Sequence, residues 1–119
     1  TLWDAGQRKR AIDNAIVNER ISTLSVRNAR QDALMQARSQ LATYRNQREL
    51  LSLQEALVEN SAANLTLADE QLRAGTINSF DYRTVQLEYL NAVQGRINAV
   101  YQLLITDLNL RQLTGELLE

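Results

Sequence analysis

The sequence is marked first by what it omits. Its 119 residues include no proline, no cysteine, no histidine and four glycines, with Lys9 as the single lysine. Without proline the chain lacks the residue that most reliably stops a helix. Without cysteine it has no disulfide and no thiol chemistry. Without histidine as well, general-base and metal-ligand options shrink to carboxylates, Lys9 and tyrosines. The carboxylates are scattered, and no glycine-rich phosphate loop or nucleophile elbow is present. The expectation is therefore no catalytic residue, no cofactor, no metal and no enzyme. No run approaches the roughly 20 apolar residues of a membrane-spanning helix, and no signal peptide is legible. Thirteen basic against fourteen acidic residues leave a net charge of −1, which argues against nucleic acid as a partner. Arg8, Lys9 and Arg10 form the one dense basic cluster and read as the polar first turn of a helix. The start at Thr1, without methionine, suggests a processed or excised segment.

What is present favours helices. Alanine, leucine, glutamine, arginine and glutamate are abundant, and all are good helix formers. The expected fold is all-α: a long antiparallel, coiled-coil-like hairpin whose first helix is about twice as long as the second. The glycines set the boundaries, with an entry over 1–6, a long helix over 7–74, a turn over 75–78, a returning helix over 79–114 and a connecting segment from 115 to 119. Gly95 is the exception, because apolar periodicity runs through it. It reads as a close-packing or tolerated helix residue.

The long helix has a heptad stripe at Ala37, Tyr44, Leu51, Val58, Leu65 and Leu72. Its companion position is read as Leu34, Leu41, Arg48, Glu55, Ala62 and Asp69, half of it polar, so a strict two-stranded zipper is excluded. The second helix carries two stripes. One is Leu90, Val93, Ile97, Val100 and Leu104; the other is Tyr82, Val85, Tyr89, Ala92, Ala99, Leu103, Leu110 and Leu113. Two seams require two helical neighbours, whereas a hairpin supplies one. At about 1.5 Å per residue the helices span roughly 100 and 55 Å. Residues from about Gln7 to Gln36 are thus expected to lack a partner in the chain, although they include Ile12, Ile16, Ile21 and Leu24. Tyr44, Tyr82, Tyr89 and Tyr101 read as seam residues, and Arg48 and Glu55 as exposed rather than catalytic.

The turn has its own chemistry. Gly75 suits the left-handed conformation beyond a helix end. Asn78 or Ser79 can cap the next helix. With Asn78 as cap, Asp81 falls at the third helical position, where its charge complements the helix dipole. Ile77 and Tyr82 then occupy the positions of a hydrophobic staple, and Arg73 the favoured cationic last turn.

Arg73-Ala74-Gly75-Thr76-Ile77-Asn78-Ser79-Phe80-Asp81 resembles the periplasmic tip turn of the TolC-like outer membrane efflux family, of the form R-x-G-x-x-S-x-x-D. Asn64–Leu72 looks like the run into that tip and Val85–Ala92 like the run out of it. Leu113-Thr114-Gly115 is similar to the end of the returning helix, and Leu2-Trp3-Asp4-Ala5-Gly6 to the strand-to-helix entry. The resemblance covers nearly the whole chain. It implies a segment of an α-helical barrel, the periplasmic tunnel of a trimeric outer membrane channel. It implies a tip (Arg73, Ala74, Gly75, Thr76, Ile77, Asn78, Ser79) that docks a periplasmic adaptor, with an inner-membrane pump as indirect partner. Direct membrane contact by this segment is not expected. Asp81 matches an acidic position that narrows the tunnel in some members, so it is the pore-lining candidate. The second acid of those members is Thr84 here. Leu72 and Ile77 replace the tyrosine and arginine of a tip latch, and Thr1 replaces an entry proline. The competing readings are a purely structural coiled-coil scaffold hairpin, spectrin-like, and the coiled-coil hairpin of the adaptor itself.

Overall fold

A computed structural model describes the backbone of residues 1–118 and the side chains of residues 1–115. It contains two helices, α1 (Leu2–Arg73, 72 residues) and α2 (Ser79–Leu118, 40 residues), and no strand among the described residues. The fold is an all-α hairpin with the first helix the longer. Both helices outrun the limits read from the glycines. At the front, α1 starts at Leu2 instead of Gln7. The Thr1 hydroxyl donates to the Asp4 carboxylate at 2.8 Å and the Ala5 N–H to the Thr1 carbonyl at 3.3 Å. Asp4 in the first turn also suits the helix dipole. At the back, α2 passes through Thr114 and Gly115 to Leu118. Glu119, the last residue of the expected connecting segment, lies outside the described residues. Among the described glycines only Gly75 has a positive φ, +75°. Gly6 and Gly115 are ordinary helical residues, each tolerated at about 1 kcal/mol against alanine, and Gly95 is helical as well.

The chain divides into two packing units, Thr1–Arg38 and Ser39–Glu119. In the first, every side chain from Thr1 to Asp32 is exposed, including Ile12, Ile16, Ile21 and Leu24. Arg8, Lys9 and Arg10 lie in its second and third turns, since the helix begins earlier than expected.

In the second unit, α1 and α2 run antiparallel and share one seam. On α1 most of the sheltered side chains follow two heptad positions. Tyr44, Leu51, Val58, Leu65 and Leu72 occupy one; Gln40, Gln47, Gln54, Ser61 and Ala68 occupy the other. The first stripe is the expected one. The second corrects the expected companion. Leu34, Leu41, Arg48 and Glu55 are exposed and small or amide side chains take their place, while Ala62 and Asp69 of the expected companion are half-buried at the edge of the seam. On α2, Tyr82, Val85, Tyr89, Ala92, Ala99, Leu103, Leu110 and Leu113 are all sheltered, as expected, and Thr106 completes the stripe.

Small residues at the seam bring the two helices close. The most deeply buried are Ala68, Ala92 and Ala99, with Ser61 and Thr106. The two hydroxyls remain satisfied because each donates to its own helix, Ser61 to the Val58 carbonyl at 3.0 Å and Thr106 to the Gln102 carbonyl at 2.8 Å. Gln47 Oε1 is buried without a hydrogen-bond partner. A Cβ placed on Gly95 would stand 2.6 Å from Gln54 Oε1, so the end of the Gln54 side chain, which lies against Gly95, would have to shift. One turn of register is marked by Arg96 Nε at 3.9 Å from Glu55 Oε1. That pair is half exposed and stabilises by at most about 1 kcal/mol.

The core is thin. Among the described residues no large side chain is fully buried, and the exposed area is 9985 Å². A compact monomer of 13.5 kDa would expose roughly 6,500 Å². The surplus is surface that this chain alone does not cover.

Candidate functional site

The turn between the helices is tightly built. Thr76 N–H donates to the Gln71 carbonyl at 2.9 Å and Gly75 N–H to the Leu72 carbonyl at 3.1 Å. With Gly75 left-handed, these are the two bonds of a Schellman helix end. The Thr76 hydroxyl adds a further bond to the Gln71 carbonyl at 3.0 Å. Asn78 then caps α2, its Oδ1 accepting the Asp81 N–H at 2.8 Å, and the Tyr82 N–H reaches the Asn78 carbonyl at 3.1 Å. Ile77 and Tyr82 are both half-buried, as a staple across the cap requires. The chain thus reverses within Ala74–Asn78 with its helix ends satisfied and no strained non-glycine residue.

The expected tip residues fall into two groups. Gly75, Thr76 and Asn78 build the turn. Ala74, Thr76, Ser79 and Asn78 are also exposed, while Ile77 is partly tucked under. Arg73 is exposed but turns back along α1 to Asp69, at 3.1 Å. Asp81 is exposed in the first turn of α2. The Thr84 hydroxyl donates to the Phe80 carbonyl at 3.1 Å. Phe80 lies within the tip-like stretch but is not among the residues expected to dock an adaptor. It is 80% exposed, an apolar ring presented beside the turn. The signal was available, because Phe80 follows the cap by two residues and belongs to neither stripe of α2.

Two apolar stripes remain open beside the seam. On α2, Leu90, Ile97 and Leu104 are exposed and Val93 and Val100 half-buried; this is the second stripe that the spacing of α2 identifies. On α1 the exposed Leu50, Leu53, Leu57 and Leu67 form a matching one, which sequence reading missed. Asn60 and Asn64 interrupt it, although the three-and-four spacing runs through them. Helical geometry places the two stripes on different sides of the seam. Gln54, Leu57, Asn60 and Asn64 of α1 and Glu88, Asn91 and Gly95 of α2 line an open groove of about 470 Å³.

Chemically the site is a surface for contact. Among the described residues no three Asp or Glu side chains are grouped to hold a metal ion, and no helix is long and apolar enough to cross a membrane. The architecture is a capped hairpin with open faces, and it fits a family. The model of the outer membrane efflux protein family matches residues 1–116. The chain belongs to the outer membrane efflux protein family. No curated protein and no solved structure matches it. Membership makes it a component of an outer membrane efflux channel, in a family of oligomeric transport channels that work with an adaptor and a pump. The turn at residues 74–78 lies about two-thirds of the way along the match, which covers nearly all of both helices.

Proposed function

We propose that this chain is a wall segment of the periplasmic tunnel of a trimeric efflux channel and that its tip turn docks a periplasmic adaptor of a tripartite pump. The observation that carries the tunnel reading is the pair of open apolar stripes, Leu50-Leu53-Leu57-Leu67 on α1 and Leu90-Ile97-Leu104 on α2. An isolated scaffold hairpin needs one seam. A helix within a ring needs a neighbour on each side, and interfaces of unlike faces close into rings. Adaptor docking is supported by a rigid, capped turn that presents Phe80. The segment acts as a conduit, not as an enzyme.

The test uses the full-length protein. Ile97→Asp places a charge on the open stripe and is expected to abolish assembled oligomer in the outer membrane, while Gln94→Asp, on the exposed back of α2, leaves it intact. Equal behaviour of the two would remove the tunnel reading. A photoreactive residue at Phe80 is expected to capture a periplasmic adaptor. A crosslinker at Phe80 that captures only other copies of the channel would remove the docking reading and leave the tunnel reading in place.

A further inference from the structure

The seam between α1 and α2 is built unevenly along its length. Towards the turn, α1 contributes Ser61 and Ala68, its buried residues. Away from the turn the same heptad position holds Gln54, Gln47 and Gln40, all half-buried. Ser61 and Ala92 line one groove. From that level the antiparallel heptads step to Gln54 and Ala99, and then to Gln47 and Thr106. Gln47 Oε1 is shut off from solvent and has no hydrogen-bond partner. The Thr106 hydroxyl does not supply one, because it donates to the Gln102 carbonyl at 2.8 Å. The hairpin's own two helices enclose the Gln47 oxygen, so no further segment or neighbouring molecule reaches it.

A buried amide oxygen without a donor has lost its bonds to water and gained none in return. It recovers them when the two helices part. The penalty therefore falls on the closed state of this one layer. Ser61 and Thr106 escape it, because each hydroxyl bonds to its own helix. We propose that the seam opens from its far end: residues 39–51 of α1 and 103–115 of α2 separate as one local unit, while the layers nearer the turn stay closed. The bonds of the helix end at Gly75 and Thr76 and the Asn78 cap hold the turn. Opening runs towards it and stops at Ala99, Ala92, Ser61 and Ala68, the small buried residues. Such a device keeps the tip geometry fixed while the far part of α2 is free to change its packing. It does not depend on what the tip docks or on whether the hairpin lines a tunnel.

Amide hydrogen exchange of the full-length protein reads the two parts separately, since local opening exposes each cooperative unit at its own free energy. Amides of residues 103–113 are expected to exchange at least about tenfold faster than those of 82–99. Gln47→Leu removes the unpaired oxygen and keeps an apolar side chain in the layer. It is expected to slow exchange at 103–113 about tenfold, which corresponds to about 1.4 kcal/mol, and to leave 82–92 unchanged. Gln47→Met is measured beside it, because one of the two shapes can fit the layer better than the other. Asn46→Leu makes the same kind of change at the adjacent exposed position and is expected to leave both parts within a few-fold of the parent. Fraying of a helix end would produce the first difference but not its removal by a substitution at Gln47. Equal exchange in both parts, no slowing in either Gln47 variant, or the same slowing with Asn46→Leu would overturn the proposal.

Discussion

Thr1–Arg38 and Ser39–Glu119 are written in the same alphabet and end differently. The heptad positions that hold Ala37, Tyr44 and Leu51 run back through Ile16, three heptads before Ala37. Yet Ile16 is exposed whereas Leu51 is sheltered. The difference is not in the stripe but in what stands opposite it. In the second unit α2 returns alongside and Ala92 and Ala99 let it come close. An apolar stripe therefore states that a helix wants a neighbour without stating which chain supplies it. The charge contrast points the same way, with a basic first unit and an acidic second one.

The contrast is sharpest under a buried charge. Ala99→Asp places a carboxylate at a position only 3% exposed. With no partner for it, the expected loss of stability is about 3 kcal/mol. Ala15→Asp in the exposed first unit is expected to change stability by less than about 0.5 kcal/mol. Urea unfolding followed by circular dichroism measures both. If Ala15→Asp proved as damaging as Ala99→Asp, the first unit would have a packed face of its own and the comparison would break. The turn comes next. Gly75→Val puts a β-branched side chain at φ +75° and is expected to cost about 2 kcal/mol. If the turn only reverses the chain, efflux by the full-length protein falls in step with its abundance. If it also docks an adaptor, efflux falls further.

How much of this was legible can be judged residue by residue. Tyr82, Val85, Tyr89, Ala92, Ala99, Leu103, Leu110 and Leu113 were readable as a seam because apolar side chains at alternating three and four spacing leave few other arrangements. The Gly75 turn and the Asn78 cap were readable because each rests on local backbone chemistry. The companion stripe of α1 was not. Gln40, Gln47 and Gln54 are amides, and an amide in a seam looks polar in sequence. Burial there depends on Gly95 and the small residues opposite, which is tertiary information. Phe80 and the Leu50-Leu53-Leu57-Leu67 stripe were missed for a related reason. An exposed apolar side chain is recognised only once the covered ones are known. The helix limits failed because Gly6 and Gly115 were read as stops, and a glycine stops a helix only when something demands a positive φ.

A third prediction tests whether the open face of the first unit is a real liability. Ile12, Ile16, Ile21 and Leu24 are 44–60% exposed, and contiguous apolar surface of this kind drives association. The isolated chain is expected to self-associate at micromolar concentration. Replacing Ile12 and Ile16 with glutamine is expected to weaken association about tenfold, which corresponds to about 1.4 kcal/mol. Sedimentation equilibrium decides. A well-folded monomer at high micromolar concentration would show that exposure alone does not define a contact face.

The smallest effect is expected at Asp81, and it probes the acidic side of the charge contrast. Asp81 stands in the first turn of α2, its N–H already held by Asn78 and its side chain exposed. As a helix-terminal charge it contributes about 0.3–1 kcal/mol, so Asp81→Asn should barely move the unfolding midpoint. The proposed pore role is separable from that. Three copies close to a tunnel axis would attract cations and repel anions, an effect that salt screens over roughly 10 Å at 0.1 M. Glu88 lies seven residues on, on the same side of α2 and on the wall of the groove. It can reinforce Asp81 where Thr84 does not. Single-channel recording of the full-length protein should therefore show reduced cation preference for Asp81→Asn and a further reduction when Glu88→Gln is added, both fading at high salt. If selectivity stays constant in the double variant, both carboxylates belong to the outer face, and Asp81 is left with its helix-capping role alone.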